Sequence, residues 1–209
     1  TGHSSAALIA ENVAITESDP AFTSRTLGSY KYAVAFQAPS ELLDDTGVDL
    51  EGYLAMQAGR AVGNTLGAAL MVGDGSAKPS GLFQTSTLGV TGAASVVGVP
   101  SADNLIDLYY SVIAPYRASS KCAWVMKDST VAAVRKIKDS TNQYIWSPGL
   151  TGGMPDTILG KPLITDPYVA ATALSAKSVA FGDLSAYYIR IAGGLRFERS
   201  NDFAFGADQ

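Results

Sequence analysis

The chain has 209 residues, of which 47% are hydrophobic and only 16% are charged, and its formal net charge is −4. Soluble domains usually carry roughly 25% charged residues, so we expect neighbouring subunits to cover part of this surface. The acidic balance disfavours tight nucleic-acid binding, and the densest basic group, Arg135, Lys136 and Lys138, is more typical of a solvated helix face.

Residues 5–38 contain two strand-like segments around a turn-rich middle, which predicts a long hairpin. A two-stranded ribbon is marginal in water by itself. We therefore expect residues 5–30 to protrude or to be poorly ordered unless another chain supports them. The apolar alternation of the second segment runs through Leu27, Tyr30, Tyr32, Val34 and Phe36.

Ser40 is expected to cap a first helical start at ELLDD, and a second start at Thr46 or Asp49 begins the longest helical pattern, which runs from about residue 49 to residue 72. Four glycines interrupt it, and each weakens an isolated helix by roughly 1 kcal/mol, so close packing against a sheet or another chain must offset them. The apolar stripe consists of Leu50, Leu54, Ala58, Ala61, Val62, Leu66, Ala69 and Leu70. The glycines are Gly52, Gly59, Gly63 and Gly67.

The helix is expected to stop at Gly73-Asp74-Gly75. The uncharged stretch from Pro79 to Ala102 is long enough for a membrane span, but its Pro, Gly, Ser and Thr content predicts a polar loop with short strands and no membrane contact. Asp103 then caps a predicted helix that ends near Pro115.

The remainder alternates between strands and one short helix. The sequence CAWVM predicts a buried strand, and Asp128 caps a predicted helix through Lys138. Five further strands are predicted at QYIW, TILGKPLIT, SVAFG, AYYIRIAG and LRFERS. This order indicates an α+β fold with helices on one side of a mixed sheet.

Catalytic and metal chemistry find little support in the sequence. His3 is the only histidine, which nearly excludes serine–histidine triads and histidine metal sites. GDGSAKPSG lacks the Gly-Lys-Ser/Thr ending of a phosphate loop and favours a glycine helix cap followed by a tight turn. We predict no cofactor and no enzymatic activity.

Other reactive groups have simpler interpretations. Cys122 excludes an internal disulfide and is expected to be an inert core thiol. No signal-peptide pattern opens the sequence, so we expect synthesis in a cytosol. The acidic group Asp44, Asp45, Asp49 and Glu51 favours dipole complementation at a helix start over a calcium site. The aromatic residues Trp124, Tyr144 and Trp146 are expected in the core before they are considered as a ligand platform.

Taken together, the segments resemble the major capsid proteins of tailed phages with the HK97-type fold. AENVAITESDPAFTSRTL is similar to the distal part of that family's extended E-loop, PSELLDDTGVDLEGYL to the entry of its spine helix, and GDGSAKPSGLF to the following turn. The segments from LYYSVIAPYR to NQYIW, then GMPDTILGKPL and VAFGDLSAYYI, resemble its axial domain.

The resemblance implies an α+β fold in four parts. These are an E-loop-like hairpin (1–38), a peripheral domain with the spine helix (39–99), an axial domain (100–192) and a return to the peripheral domain (193–209). It also implies a virion capsid subunit, made in the cytoplasm of a bacterial host, that forms pentamers and hexamers around double-stranded DNA without sequence-specific contact. The lysine–asparagine cross-link of some members is not carried over, since no matching pair is evident.

Family members usually have an N-terminal arm and further C-terminal strand sequence, so we expect this chain to be a fragment that does not close shells by itself. Three alternatives stay open: an encapsulin-like nanocompartment, a small cytosolic hydrolase and a monomeric binding module around Trp146. The axial contact is expected near Ser147 to Asp156 because this loop is rich in glycine. The predicted subunit-interface residues are Phe22, Lys31, Glu41, Gly149, Gly152, Gly153 and Pro155.

Overall fold

The computed structural model describes residues 8, 9, 11, 24, 26–38, 47, 49–92, 98–146 and 156–198. Helices and strands alternate in the second half of this range. The elements are α1 (Leu50–Val72), α2 (Leu82–Thr85), α3 (Ala102–Ser111), α4 (Ala114–Arg117), β1 (Cys122–Met126), α5 (Asp128–Arg135), β2 (Thr157–Ile158), β3 (Lys161–Thr165), β4 (Val179–Asp183) and a 3-10 helix (Leu184–Ala186).

The long helix α1 has 23 residues, which confirms the long helix predicted from about residue 49 to residue 72. Asp49 caps it, since its carboxylate accepts a hydrogen bond of 2.9 Å from the Gly52 N–H. Of its apolar stripe, Ala58 and Ala69 are buried, and the other members are half-buried. This chain therefore covers the stripe of α1 only in part.

The turn after α1 brings two glycine backbones together. The Gly73 N–H donates to the Ala69 carbonyl over 2.9 Å, and the Gly81 N–H donates to the Gly73 carbonyl over 2.7 Å. A Cβ at Gly81 would collide with the backbone of Gly73 and Met71. The turn is thus a helix cap, as predicted, and glycine is required there for space, because Gly73 has an ordinary φ of −58°.

The predicted short strands after this turn are wrong for the described residues of the segment. Leu82–Thr85 form the short helix α2, and Ser80 makes only an isolated bridge with Asp74. Phe83 anchors α2 because its side chain is 5% exposed and packs against the sheet. A buried aromatic side chain decides the local conformation here over the Gly, Ser and Thr composition.

Within the described residues, the sheet has four strands in the order β2-β3-β1-β4. β1 pairs in parallel with β3, where Trp124 lies opposite Leu163, and antiparallel with β4, where Trp124 lies opposite Phe181. β2 and β3 form a hairpin whose two turn residues, Leu159 and Gly160, both have positive φ. Such a turn matches the right-handed twist of the strands.

β1 is buried on both faces, as its continuous apolar sequence predicts. Trp124 and Met126 belong to a cluster with Leu105 of α3 and Val131 of α5. Val125 belongs to a second cluster with residues of α1 and α2. The prediction of helices on one side of the sheet is therefore wrong, because alternate residues of β1 need an apolar partner on each face.

Two predicted helix ends are also wrong. α3 is capped by Ser101, whose hydroxyl accepts from the Asn104 N–H over 3.1 Å, and it ends at Ser111, ahead of Pro115. Asp103 lies in its first turn.

α5 ends at Arg135, before Lys138, and Asp128 lies inside its first turn with Lys127 at the cap position. The helix does not continue to Lys138 because the Asp139 carboxylate accepts hydrogen bonds from backbone N–H groups of the following turn. Such bonds compete with helix formation.

Several predicted strands are not formed within the described residues. QYIW provides only a bridge between Tyr144 and Lys138. Residues 187–198, which include AYYIRIAG and part of LRFERS, and residues 26–38 have no helix or strand. A strand requires a hydrogen-bonding partner, and most of the predicted partner of 26–38, like half of the predicted hairpin 5–38, lies outside the described residues.

Candidate subunit-contact surfaces

An open groove lies between α1 and the two irregular segments 26–38 and 187–198. We call it the peripheral groove. Its walls carry large apolar side chains that face solvent, and Ile191 is 83% exposed. Large exposed apolar patches mark interaction surfaces. Other exposed apolar residues in the walls are Leu27, Tyr30, Phe36, Tyr188 and Leu195.

Three hydrogen bonds from two side chains fix the segment 187–198 to the rest of the chain. The Tyr187 hydroxyl is shared between the carbonyls of Leu70, 3.1 Å away, and Ser80, 3.0 Å away. Burial raises the pKa of Tyr187 above its ordinary value. Arg190 donates from Nη1 to the Leu27 carbonyl over 2.7 Å. These contacts join both walls of the peripheral groove to the end of α1.

One polar group inside this region has no partner. The Tyr32 hydroxyl is buried and makes no hydrogen bond with any described residue. A buried hydroxyl without a hydrogen-bond partner is uncommon in a completely packed native protein. The packing around the segment 26–38 is therefore incomplete among the described residues.

The glycines of α1 give a second sign of incomplete packing. A Cβ placed on Gly59 or on Gly63 would meet no described atom within 4 Å, whereas one on Gly67 would lie 3.6 Å from Tyr168. Packing among the described residues thus explains Gly67 and does not explain Gly59 or Gly63.

Residues 136–146 form a compact turn that we call the basic hairpin. The Asp139 N–H donates to the Gln143 carbonyl over 2.8 Å. The Asp139 carboxylate accepts from the Thr141 hydroxyl over 2.7 Å and from the N–H groups of Thr141 and Gln143 over 2.8 and 2.9 Å. The Thr141 side chain and these amides hold the pKa of Asp139 below its ordinary value.

Two cations each lie over an aromatic ring at the basic hairpin. The Lys138 ammonium lies 5.1 Å from the centre of the Tyr144 ring, and the Arg135 guanidinium lies 5.0 Å from the Trp146 ring. Arg135 also pairs with Asp156. Trp146 is half-buried against the core, as expected, but the core prediction for Tyr144 is wrong, because the turn leaves it 57% exposed.

The helix α3 presents a distinct outer face. Asp103, Ile106, Asp107 and Tyr110 are exposed and lie on one stripe at helical spacing, which we call the outer face of α3. The opposite side, which includes Leu105, packs on the sheet.

Arg117 stiffens the end of this face. Its guanidinium lies 4.7 Å from the Tyr109 ring and 4.5 Å from the Tyr110 ring. It also donates to the carbonyls of Tyr109 and Val112 over 3.5 and 3.4 Å.

The residues weighed for chemistry are dispersed or take structural roles. Cys122 is fully buried, and burial raises the pKa of its thiol, which agrees with an inert core residue. Asp49 is a helix cap, and His3, Asp44 and Asp45 lie outside the described residues.

Within the part of the chain that the structure describes, three or more metal-binding side chains nowhere come together. None of the helices in that part combines the length and hydrophobicity of a membrane span.

Comparison with known proteins identifies the family. The sequence profile described as the Phage capsid family matches residues 1–209. The chain belongs to this family. A search of curated proteins finds no match.

Two solved capsid structures support the same fold. A capsid chain of a native GTA particle and one of an empty GTA particle, both computed with C5 symmetry, each share 31% sequence identity with this chain, with TM-scores of 0.64 and 0.63. Each match covers 74% of this chain and 56% of the capsid chain. The α+β HK97-type fold expected from the resemblance is thus confirmed, and the chain spans about half the length of these relatives.

Only one of the predicted interface residues falls in the described part of the chain. Lys31 is exposed and lines the peripheral groove. The residues Phe22, Glu41, Gly149, Gly152, Gly153 and Pro155 lie outside the described residues.

Sequence reasoning did not single out the outer face of α3 or the basic hairpin as candidate contact surfaces. A usable signal was present in both. Asp103, Ile106, Asp107 and Tyr110 alternate charge with apolar side chains on one helix face, and Lys138 and Tyr144 flank a polar turn.

Proposed function

We propose that this chain is a structural subunit of a phage-type head, in which many copies form a closed shell around double-stranded DNA. Membership of the Phage capsid family over residues 1–209 supports this proposal. Similarity at 31% identity to capsid chains of GTA particles, which were computed with C5 symmetry, supports a shell with rotational symmetry.

The observation that carries the proposal is the peripheral groove. Its apolar walls at 26–38 and 187–198 face solvent, the Tyr32 hydroxyl lacks a partner among the described residues, and the described residues offer no packing for Gly59 and Gly63. A monomeric protein with this surface would expose a large apolar patch to water. A shell subunit places such a surface against its neighbours.

The parts of the chain would divide the work of assembly. Residues 1–38 and 39–99 supply the hairpin and the spine helix that cross between neighbours, residues 100–192 lie around the five- and sixfold axes, and residues 193–209 return to the peripheral part. Packaged DNA is held without sequence-specific contact. The subunit is made in the bacterial cytoplasm, ends in the particle capsid and has no catalytic role.

Particles from cells that carry the gene test this function. They are banded by density-gradient centrifugation, imaged by negative-stain microscopy and digested for mass spectrometry. We expect peptides from this sequence to dominate the digest and the particles to contain nuclease-protected double-stranded DNA. Banded particles without these peptides would overturn the structural role, and shells that hold protein but no DNA would overturn the DNA-head assignment.

A further inference from the structure

We propose that the outer face of α3 and the basic hairpin are two halves of one contact, through which the axial parts of successive copies join head to tail around a symmetry axis. The occupant of each surface is therefore a second copy of this chain. This inference rests on the proposed function and names the contact that function requires.

The two surfaces lie over different strands of the sheet, whose order is β2-β3-β1-β4. α3 covers the β1–β4 side, since the ring of Tyr109 lies 5.2 Å from that of Phe181 in β4. The basic hairpin lies towards β2, because Arg135 at its base pairs with Asp156, immediately before β2. One copy can therefore offer one surface to each of two neighbours.

The charges of the two surfaces are complementary. The outer face of α3 carries the exposed carboxylates of Asp103 and Asp107, and the basic hairpin carries the exposed ammonium groups of Lys136 and Lys138. The one carboxylate inside the hairpin, that of Asp139, is turned into its own loop by three hydrogen bonds.

Each surface also carries apolar side chains for the centre of a contact. On α3, Ile106 is 42% and Tyr110 is 65% exposed, while on the hairpin Tyr144 and Ile145 are each 57% exposed. Aromatic anchors within a charged rim are typical of protein interfaces. Both tyrosines are held in place by a cation, Tyr110 by Arg117 and Tyr144 by Lys138, so little side-chain entropy is lost when they bind.

Like charges disfavour a two-fold contact of either surface with itself, because Asp103 and Asp107 would then lie near their own copies, as would Lys136 and Lys138. The remaining arrangement is heterologous, and a heterologous contact closes into a ring when its rotation permits. A ring is the arrangement needed around the fivefold axis for which the related GTA capsids were computed. DNA binding by the two lysines explains the hairpin alone and leaves the outer face of α3 without a role.

The first test uses particles that contain this chain. A carbodiimide joins a carboxylate to an amine only where the two are in direct contact. We expect the band of two linked subunits to yield peptides that join Asp103 or Asp107 to Lys136 or Lys138. Particles that contain the chain but whose linked subunits lack this junction would overturn the inference and leave the proposed function intact, whereas particles without the chain would overturn the proposed function itself.

The second test exchanges the charges. In native mass spectrometry of the 209-residue chain at low salt, we expect Asp103→Lys with Asp107→Lys, and separately Lys136→Glu with Lys138→Glu, each to reduce the fraction in rings by about tenfold or more, since like charges then meet. The chain with all four changes should form rings again.

All four residues are exposed, so circular dichroism should show the same fold for every variant. No loss of rings in the two-residue variants, or no recovery in the four-residue variant, would overturn the inference. If the two lysines bind DNA instead, Lys136→Glu with Lys138→Glu would weaken binding to a DNA duplex. The two further changes on α3 would then restore no rings, and this outcome also contradicts the proposed contact.

Discussion

Replacing Tyr187 with Phe should destabilise the chain by removing one oxygen atom. The Tyr187 hydroxyl reaches the carbonyls of Leu70 and Ser80 over 3.1 and 3.0 Å. Leu70 belongs to the last four residues of α1, whose carbonyls have no donor within the helix. Tyr187 therefore caps the spine helix from a distance in sequence of more than a hundred residues.

The expected size of the effect follows from the loss of a shared, partly buried hydrogen bond. Such a bond contributes about 0.5–1.5 kcal/mol net, and a carbonyl left without its donor adds a cost of about 1 kcal/mol. We therefore expect Tyr187→Phe to lower the free energy of unfolding by about 1–2 kcal/mol. Urea unfolding, followed by circular dichroism and by tryptophan fluorescence, measures this change.

Tyr188 offers a matched control because it is the adjacent tyrosine and is 76% exposed. Tyr188→Phe should change the free energy of unfolding by less than about 0.5 kcal/mol, as is usual for surface substitutions. Equal unfolding midpoints for the two variants would refute the role of the Tyr187 hydroxyl.

The pH dependence gives a second check on the same group. Burial raises the pKa of Tyr187 from its ordinary value of 10.0, so the folded state favours the neutral phenol. Its contribution to stability is complete below pH 10 and is lost as the pH rises through the higher folded pKa. Tyr187→Phe should remove this part of the alkaline loss of stability, and Tyr188→Phe should retain it.

Three further predictions concern the interior and the basic hairpin. Gly81→Ala should lower the free energy of unfolding by about 1–3 kcal/mol because its Cβ meets the backbone of the turn, whereas Gly92→Ala, which has open space, should be neutral in the same urea assay. Cys122→Ala should cost about 1 kcal/mol, and the native thiol should react with a disulfide reagent only on unfolding. Asp139→Ala should speed hydrogen exchange at the Gln143 amide, which donates to the Asp139 carboxylate. In the unsubstituted chain, the slow exchange of this amide should be lost as the pH falls from the ordinary carboxyl pKa of 3.8 through the lowered folded pKa of Asp139. Unchanged exchange in the variant would contradict the role of Asp139.

Local sequence signals predicted the elements that depend on local physics. The helical stripe and Asp49 predicted α1 with its cap, and the unbroken apolar sequence from Cys122 to Met126 predicted β1. The glycines at 73 and 81 predicted a turn, although the reason for glycine is close backbone contact and not a left-handed conformation. In each case the residues that decide the structure lie near one another in the sequence.

Elements that depend on distant partners were predicted less well. The strand pattern in 187–198 is real, but β4 has no described neighbour beyond it, so the segment is fixed by Tyr187 and Arg190 instead. Likewise, the aromatic character of Tyr144 predicted a core position. The turn around Asp139 instead directs Tyr144 to the surface.

The contact surfaces differ in physical kind, and this difference predicts how assembly should respond to salt. The proposed contact between the outer face of α3 and the basic hairpin has carboxylates facing ammonium groups at its rim, where added salt screens the attraction, with a Debye length of about 10 Å at 0.1 M and about 3 Å at 1 M. The peripheral groove is lined by apolar side chains such as Ile191 and Leu195, whose burial does not depend on charge and is strengthened by salts such as sulfate. Rings of the chain should therefore dissociate as sodium chloride rises, while contacts through the groove persist and are favoured by ammonium sulfate. Rings that survive 1 M sodium chloride unchanged would mean that the groove, and not the charged pair of surfaces, holds neighbouring copies together.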